Sequence, residues 1–509
     1  MLLGIDCGNT AVKAVLFSPD GKTIATGSRR TEPLQPAPNW IEHDMDRLWQ
    51  LTCAAIADAL KAVTTREMAV DGIGVTAHGD GLYLCDPRAR PLGHGIASVD
   101  SRAHSVTGAW VSAGVLDEVE SIAGQRPYPY AATTLLAWIE RNQPERYAAI
   151  GHVLFCKDWL RFRLTGVIAT DPTDASTAFT DARTQRYSDD LLSLLGLEAV
   201  RPALPDILAS SEVMGTVSRA AAAETGLPPG TPVAGGMHDV TSSAIGLGNL
   251  VPGAVSITAG TFSINETLSD YLAVDRRWAA RAGLRPGQWM NMSISPASSN
   301  NVDWFLQQAY KAEWEAAIAG RLSLWDTLEA DLAAPLAGDA PLFHPFLYGS
   351  PYNRPASAAF LGLRSWHGRA DMLRAVIEGT VFNHRFHVDA LRSAFPINRA
   401  GLTGGGTSRA SLARLFADAL GLPVDVPRAT EVGALGAALL AGVGVGVYTS
   451  LEDAVRRTCE VTARYEPDIA RHAALTERFG RYVALAEAIL PLSGDERVET
   501  VTEARGAKA

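Results

Sequence analysis

A chain of 509 residues has room for about two to four domains at roughly one per ~150 residues. Its 47% hydrophobic and 20% charged residues supply ample material for buried cores and exclude global disorder. The formal charge of −10, from 45 Lys plus Arg against 55 Asp plus Glu and with no basic cluster, argues against nucleic acid as the main partner.

Asp6 interrupts the N-terminal apolar run after five residues, too early for a signal peptide, so a cytoplasmic location is expected. The cysteines Cys7, Cys53, Cys85, Cys156 and Cys459 form no C-x-x-C pair or ligand cluster and read as reduced thiols. The spacing predicts a hairpin first: Val12 to Phe17 is β-rich, Ser18-Pro19-Asp20-Gly21 is turn chemistry, and Thr23 to Thr26 resumes an extended pattern. After a proline-stiffened connection, Asp44 is placed to cap a helix carrying Leu48, Leu51, Ala55, Ile56, Ala59 and Leu60 on one face. Gly72-Ile73-Gly74-Val75 is a short buried strand that ends at His78-Gly79-Asp80-Gly81.

Short strands alternate with helices to about residue 240, the pattern of an α/β domain with a mixed sheet. A second series then begins, with strands at Val255 to Ala259 and Ala400 to Thr403, and a helix over Ser408 to Leu420 stopped by Gly421. Two α/β halves are expected to meet near residue 245. The uncharged run Val432 to Tyr448 is broken by five glycines and falls short of the ~20 apolar residues of a membrane span, so it reads as a buried helix and a glycine loop. The polar tail from Ser493 onward is expected to be solvated.

Three glycine turns stand at strand ends. Asp6-Cys7-Gly8-Asn9-Thr10 offers backbone N–H groups and a hydroxyl to phosphate oxygens, a carboxylate to a divalent cation, and Lys13 on the next strand. Gly260-Thr261 repeats the arrangement, and Gly404-Gly405-Gly406-Thr407 adds a helix N-terminus with its unpaired N–H donors. Each turn serves equally well for packing, and neither the P-loop nor the Rossmann glycine spacing occurs at any of them. Val233-Ala234-Gly235-Gly236 runs into Met237-His238-Asp239 and a helix, which sets Asp239 at a strand end beside the junction of the halves. A carboxylate there suits a general base for a hydroxyl attacking a γ-phosphate, and suits a helix cap as well. His78, Asp80, Asp100 and Arg102 also fall at or beyond strand ends, a set of donors and acceptors fit for a polyhydroxyl ligand.

Taken in order across about nine-tenths of the chain, these pieces resemble the FGGY family of carbohydrate kinases. Leu3 to Ala14 is similar to its first phosphate segment, and Asn39-Trp40-Ile41-Glu42-His43-Asp44 to its G-W-x-E-x-D-P stretch. Lys157 to Gly166 with Asp171 and Asp174, the loop Gly349-Ser350-Pro351-Tyr352-Asn353-Arg354-Pro355, and Gly404 to Asp418 followed by Glu431 to Ala438 resemble its later motifs.

The resemblance implies an α/β fold of two actin-like ATPase (ribonuclease-H-like) domains with an interdomain catalytic cleft. It divides the chain into a sugar-binding domain 1–245, a nucleotide-binding domain 246–455, and a C-terminal helix and polar tail 456–509. It implies Asp239 as general base, Asp6 as a Mg²⁺ holder, and His78, Asp80, Asp100 and Arg102 toward the sugar. It also implies Asn9, Thr10, Lys13, Gly260, Thr261, Gly405 and Gly406 along ATP, with Ser299 and Asp303 as looser nucleotide contacts. The expected partners are a small sugar and ATP, without nucleic acid or membrane, and the family admits a homodimer. Val240 stands where many relatives carry Asn or Gln after the catalytic acid. With Gly81-Leu82 and the Ser98 to Arg102 loop, it is closest to the branch acting on L-xylulose or 3-keto-L-gulonate, so a pentulose is expected. A polyol such as erythritol, and a partner-regulated ATPase switch on the same fold, are the alternatives.

Overall fold

The computed structural model describes residues 1–63, 69–333, 339–351, 356–407 and 409–493. Ser408, the loop residues Tyr352, Asn353, Arg354 and Pro355, and the tail over 494–509 lie outside the described residues. The chain forms two compact units, each drawn from separate stretches of sequence. The first gathers Met1–Pro252, Glu266–Met292 and Pro427–Val461; the second gathers Gly253–Asn265, Ser293–Val426 and Thr462–Ala509.

In the first unit, strands β1 (Leu2–Cys7), β2 (Ala11–Phe17), β3 (Thr23–Arg30), β4 (Gly72–Ala77), β5 (Val213–Thr216) and β6 (Pro232–Ala234) build a mixed sheet in the order β5-β6-β4-β1-β2-β3. The hairpin expected at the start is the antiparallel β1-β2-β3 meander, and β4 lies parallel to β1. A short strand β7 (Met237–His238) also pairs β4 in parallel. Helix α1 (Met45–Lys61) is capped by Asp44, whose carboxylate accepts from the Asp46 and Arg47 N–H groups, a contribution of about 1 kcal/mol for such a cap. Its apolar stripe packs on the sheet with Ile5, Val12 and Val75 in one core.

The run from Val432 is a helix, introduced here with α2 (Cys156–Thr165), α3 (Pro172–Ala175) and α4 (Asp239–Gly246) as α5 (Val432–Gly444), and it is buried from Val432 to Gly442. Two glycines let its backbone lie directly on the sheet. A Cβ on Gly4 would come within 1.9 Å of the Ala434 carbonyl oxygen, and one on Gly74 within 1.9 Å of that of Ala437. Among the described residues, no helix is long and apolar enough to cross a membrane.

In the second unit, β8 (Gly253–Ala259) lies parallel to a strand over Ile397–Gly404, which lies parallel to one over Val424–Pro427. Between them in sequence come β9 (Ser263–Ser269), whose residues from Glu266 onward belong to the first unit, and the antiparallel pair β10 (Ala279–Ala282) and β11 (Trp289–Ser295). The later strands are therefore β12 (Ile397–Gly404) and β13 (Val424–Pro427). Phe305, Leu306, Phe343, Leu373 and Val376 form a separate apolar core there.

Candidate active site

Parallel register brings three chain segments to one edge of the first sheet. Asp6 and Cys7 lie opposite Thr76 and Ala77, and His238 also lies opposite Ala77, so Asp6, His78 to Asp80 and Asp239 leave the sheet together. Asp239 opens α4, but its Oδ1 accepts only from the adjoining Val240 N–H at 2.8 Å within that helix. A helix cap would satisfy N–H groups two or three residues on; this carboxylate does not. Its side chain keeps 32% of its area exposed. Burial pushes the carboxyl up to about 6; His78 and the N–H groups of Val240 and Gly79 oppose the rise, and Asp80 adds to it. Asp6 is pushed further, to about 7, by burial and then by the charge of Asp239, with Lys13 opposing. Two neighbouring acids that resist ionising together mark a place short of positive charge.

The sequence reading missed the group that organises this edge. Arg281, buried on β10, donates from Nη1 to His238 Nε2 at 3.0 Å, from Nε to Gln125 Oε1 at 3.0 Å, and from Nη2 to Asp80 Oδ2 at 3.1 Å. Burial and this guanidinium hold His238 well below its ordinary value, hence neutral. With Nε2 accepting from Arg281, the ring proton sits on Nδ1, which lies 3.2 Å from Asp239 Oδ1. The ring fits only because residue 79 is glycine: a Cβ there would come within 1.7 Å of His238 Nε2. Asp80 next to it adopts a left-handed φ of 56°, a conformation that a short polar side chain tolerates and that is stored where surroundings enforce it. His238 had a signal in its position beside Asp239; Arg281 had none short of tertiary structure.

His78 is buried with Nε2 3.1 Å from the Tyr83 hydroxyl, and its Nδ1 has no partner among the described residues. Asp100 and Arg102 stand differently. Asp100 is fully buried and accepts from the Ile41 N–H at 2.7 Å and from the Arg102 guanidinium, whose Nη1 lies 2.8 Å from Glu42 Oε1. The Arg102 guanidinium also lies 4.1 Å over the Trp40 ring. The structure thus ties this pair into the protein rather than leaving it with open valences. On the first turn, Lys13 Nζ is 2.6 Å from Glu431 Oε2, Asn9 Nδ2 donates to Ser98 Oγ at 3.0 Å, and Thr10 is exposed.

Behind Asp239 lies a second charged cluster, wholly enclosed. Lys157 on α2 sits 2.7, 3.2 and 3.3 Å from Asp158, Asp171 and Asp174, all buried. Burial alone would strip its ammonium of the proton, but the three carboxylates hold it above its ordinary value. Arg161 donates to the Gly235 carbonyl at 2.9 Å, and Thr173 Oγ1 on α3 accepts the His238 N–H at 2.9 Å. The cluster therefore fixes the backbone that leads into Asp239.

The second unit has its own glycine edge. Ala259 and Gly404 are register partners, which sets Gly260-Thr261 beside Gly404-Gly405-Gly406. Ser299 opens helix α6 (Ser299–Ala309), and its Oγ donates to the Gly260 carbonyl at 2.5 Å. A cavity of about 130 Å³ adjoins this edge. Ser299, Asp303 and Gly405 line it with Val302, Trp325 and Phe416, so three of the expected nucleotide contacts share one largely apolar slot. Thr261 and Gly405 are exposed.

As a place for Mg²⁺, the Asp6 carboxyl, raised by burial and by the charge of Asp239, suits a hard cation that keeps water and takes phosphate oxygens. Among the described residues, no group of three or more His, Cys, Asp or Glu would hold a metal alone.

The two mixed α/β sheets have the actin-like ATPase fold. Residues 1–246 match the FGGY family of carbohydrate kinases, N-terminal domain, and residues 255–445 match its C-terminal domain. The chain is 33% identical over 496 residues to the L-xylulose/3-keto-L-gulonate kinase of Escherichia coli (strain K12), covering 96% of this chain and 97% of that one. It is 30% identical over 508 residues to the erythritol kinase of Brucella abortus (strain 2308), covering 97% of each. The xylulose kinase structure from Rhodospirillum rubrum superposes with a TM-score of 0.86 at 27% identity, covering 96% of this chain and 99% of that one. The chain belongs to the FGGY family of carbohydrate kinases. Kinases of this family use ATP, and Mg²⁺ is usual for them. Membership makes the protein a sugar kinase and sets aside the partner-regulated switch.

Proposed function

We propose that this kinase transfers the γ-phosphoryl group of ATP to a hydroxyl of a pentulose such as L-xylulose, with Asp239 as the general base. The observation that carries this is Asp239 itself: a carboxyl at a strand-to-helix junction, raised to about 6 by burial, with His238 and the Gly79 turn fixing its surroundings. A base of that strength is ionised at neutral pH, yet basic enough to take a proton as the substrate O–H loses it. The new bond is from the hydroxyl oxygen to the γ-phosphorus, the broken bond is to the oxygen that leaves on ADP, and the proton passes to Asp239. His78, with its free Nδ1, and Asp80 are the sugar-side groups. Asp100 and Arg102 act through the loop they hold.

Asn9, Thr10 and Lys13 are the phosphate-binding groups of the first unit, and Gly260, Thr261 and Gly406 are phosphate-binding groups of the second. The slot at Ser299, Asp303, Gly405 and Trp325 takes the adenosine. Asp6 would hold Mg²⁺, which when bound supplies positive charge to the phosphates. Identity to kinases named for L-xylulose supports the pentulose, and the apolar Val240 beside the base offers a hydroxyl no partner. The test is a phosphorylation screen of the purified protein over ketopentoses, pentitols, erythritol and keto-acids with ATP and Mg²⁺, read as ADP release. L-Xylulose or a sister ketopentose should give the highest kcat/KM; a tetritol or keto-acid ahead of every ketopentose sinks the pentulose reading.

A further inference from the structure

Glu266 is a carboxyl that nothing in the reaction above uses. It is 2% exposed, and its Oε1 has no hydrogen-bond partner among the described residues. A buried acid left in that state costs stability, so it needs an explanation. Strand geometry supplies its direction. Side chains two apart on a strand share a face, so Glu266 points the same way as Leu268, and Leu268 packs against Ala244 on α4 and Met290 on β11. Glu266 thus faces the helix that Asp239 opens, displaced by one residue pair toward the β9 start. Two charged groups act on it: Asp239 from α4 and Arg281 from β10, the latter committed to Asp80, His238 and Gln125.

We propose that Glu266 is a sugar-positioning residue, whose carboxyl, with its unpaired Oε1, binds a hydroxyl of the substrate next to the one that Asp239 deprotonates. The inference rests on the pentulose reading and deepens it. Burial, then Asp239, raises this carboxyl to about 8, while Arg281 opposes the rise, so at neutral pH it carries its proton. A protonated carboxyl both donates and accepts, as a sugar hydroxyl does, and the two pair without placing a second negative charge beside the base. An ionised carboxylate in the same place would repel Asp239 and the incoming phosphates. A neutral polyhydroxyl is therefore the ligand this group fits.

Two volume-conserving variants of the full-length enzyme test this. Glu266→Gln keeps a neutral group that donates and accepts; Glu266→Met keeps the bulk and loses both. The Met variant should raise the sugar KM about tenfold, the order of one hydrogen bond, with ATP KM within about twofold and a melting temperature equal to or above wild type. The Gln variant should stay near the wild-type sugar KM. If the wild-type enzyme phosphorylates a pentulose but the Met variant keeps its sugar KM, or the Gln variant loses as much as the Met variant, Glu266 has no part in holding the sugar. If wild type neither binds nor phosphorylates any sugar of the screen, the pentulose reading falls and takes this inference with it.

Discussion

Two groups of buried charge sit a few residues apart in the first unit, and they are built to opposite rules. Around Lys157, two cations, Lys157 and Arg161, sit among three acids, Asp158, Asp171 and Asp174, which they pair within the interior. Asp6 and Asp239 at the edge of the first sheet, and Glu266 on β9, are all raised, while Lys13 pairs with Glu431 and Arg281 with Asp80. The first group is complete in itself and holds the backbone. The second is complete only when something outside the chain brings positive charge and hydroxyl protons to it. At the proposed site the nearby cations are paired to other acids, whereas around Lys157 the cations sit among the acids they meet.

The contrast breaks most sharply under substitution. Asp239→Asn should lower kcat by about 10²–10⁴-fold, the range a positioned base contributes, while leaving ATP binding intact and thermal stability equal to or above wild type. An active Asn variant in the ADP-release assay would remove Asp239 as the base. Lys157→Met should do the reverse: it strands Asp158, Asp171 and Asp174 in the interior, a loss of about 3–5 kcal/mol for a broken buried pair, read by urea unfolding. Should the Met variant unfold at the wild-type midpoint, the enclosed cluster is no frame.

What could be read from the sequence follows from the range of the forces involved. The opening meander, the Asp44 cap and the buried Val432 helix depend on neighbours within a turn or two, and the structure has them where the spacing puts them. Asp239 was legible because a strand, two glycines and a helix start adjoin in sequence. Arg281 and Glu266 were not legible, because their meaning comes from register: Arg281 lies 42 positions after Asp239, and only β10 brings it to His238. Asp100 and Arg102 carried the right chemistry for a sugar, yet nothing in the sequence could show that each is the other's partner.

The same comparison sets the pH behaviour. As the proposed base, Asp239 would work only as the carboxylate, so kcat/KM should rise with pH through about 6 and level above it, falling about tenfold per unit on the acid side. For the free protein the sign is opposite. Asp6 and Asp239 bind protons more tightly folded than unfolded, so the stability that their protonation supplies is present below about pH 4 and is lost as pH rises through 6 to 7. A free enzyme whose melting temperature climbs over that interval would show that the edge is not short of positive charge.

The smallest effect belongs to the second unit, where the slot is largely apolar and Asp303 is its one acid, raised by burial. Trp325→Ala should raise ATP KM about fivefold or more, the lower end of what one base stacked on an aromatic ring contributes, and leave sugar KM unchanged. The split is the point of the measurement. On the proposed assignment the slot would select by shape and stacking, so its loss should weaken nucleotide binding without moving the pH limb ascribed to Asp239. If Trp325→Ala instead shifts that limb, the slot and the acid edge are coupled through more than shared substrate, and the assignment of adenosine to the slot fails.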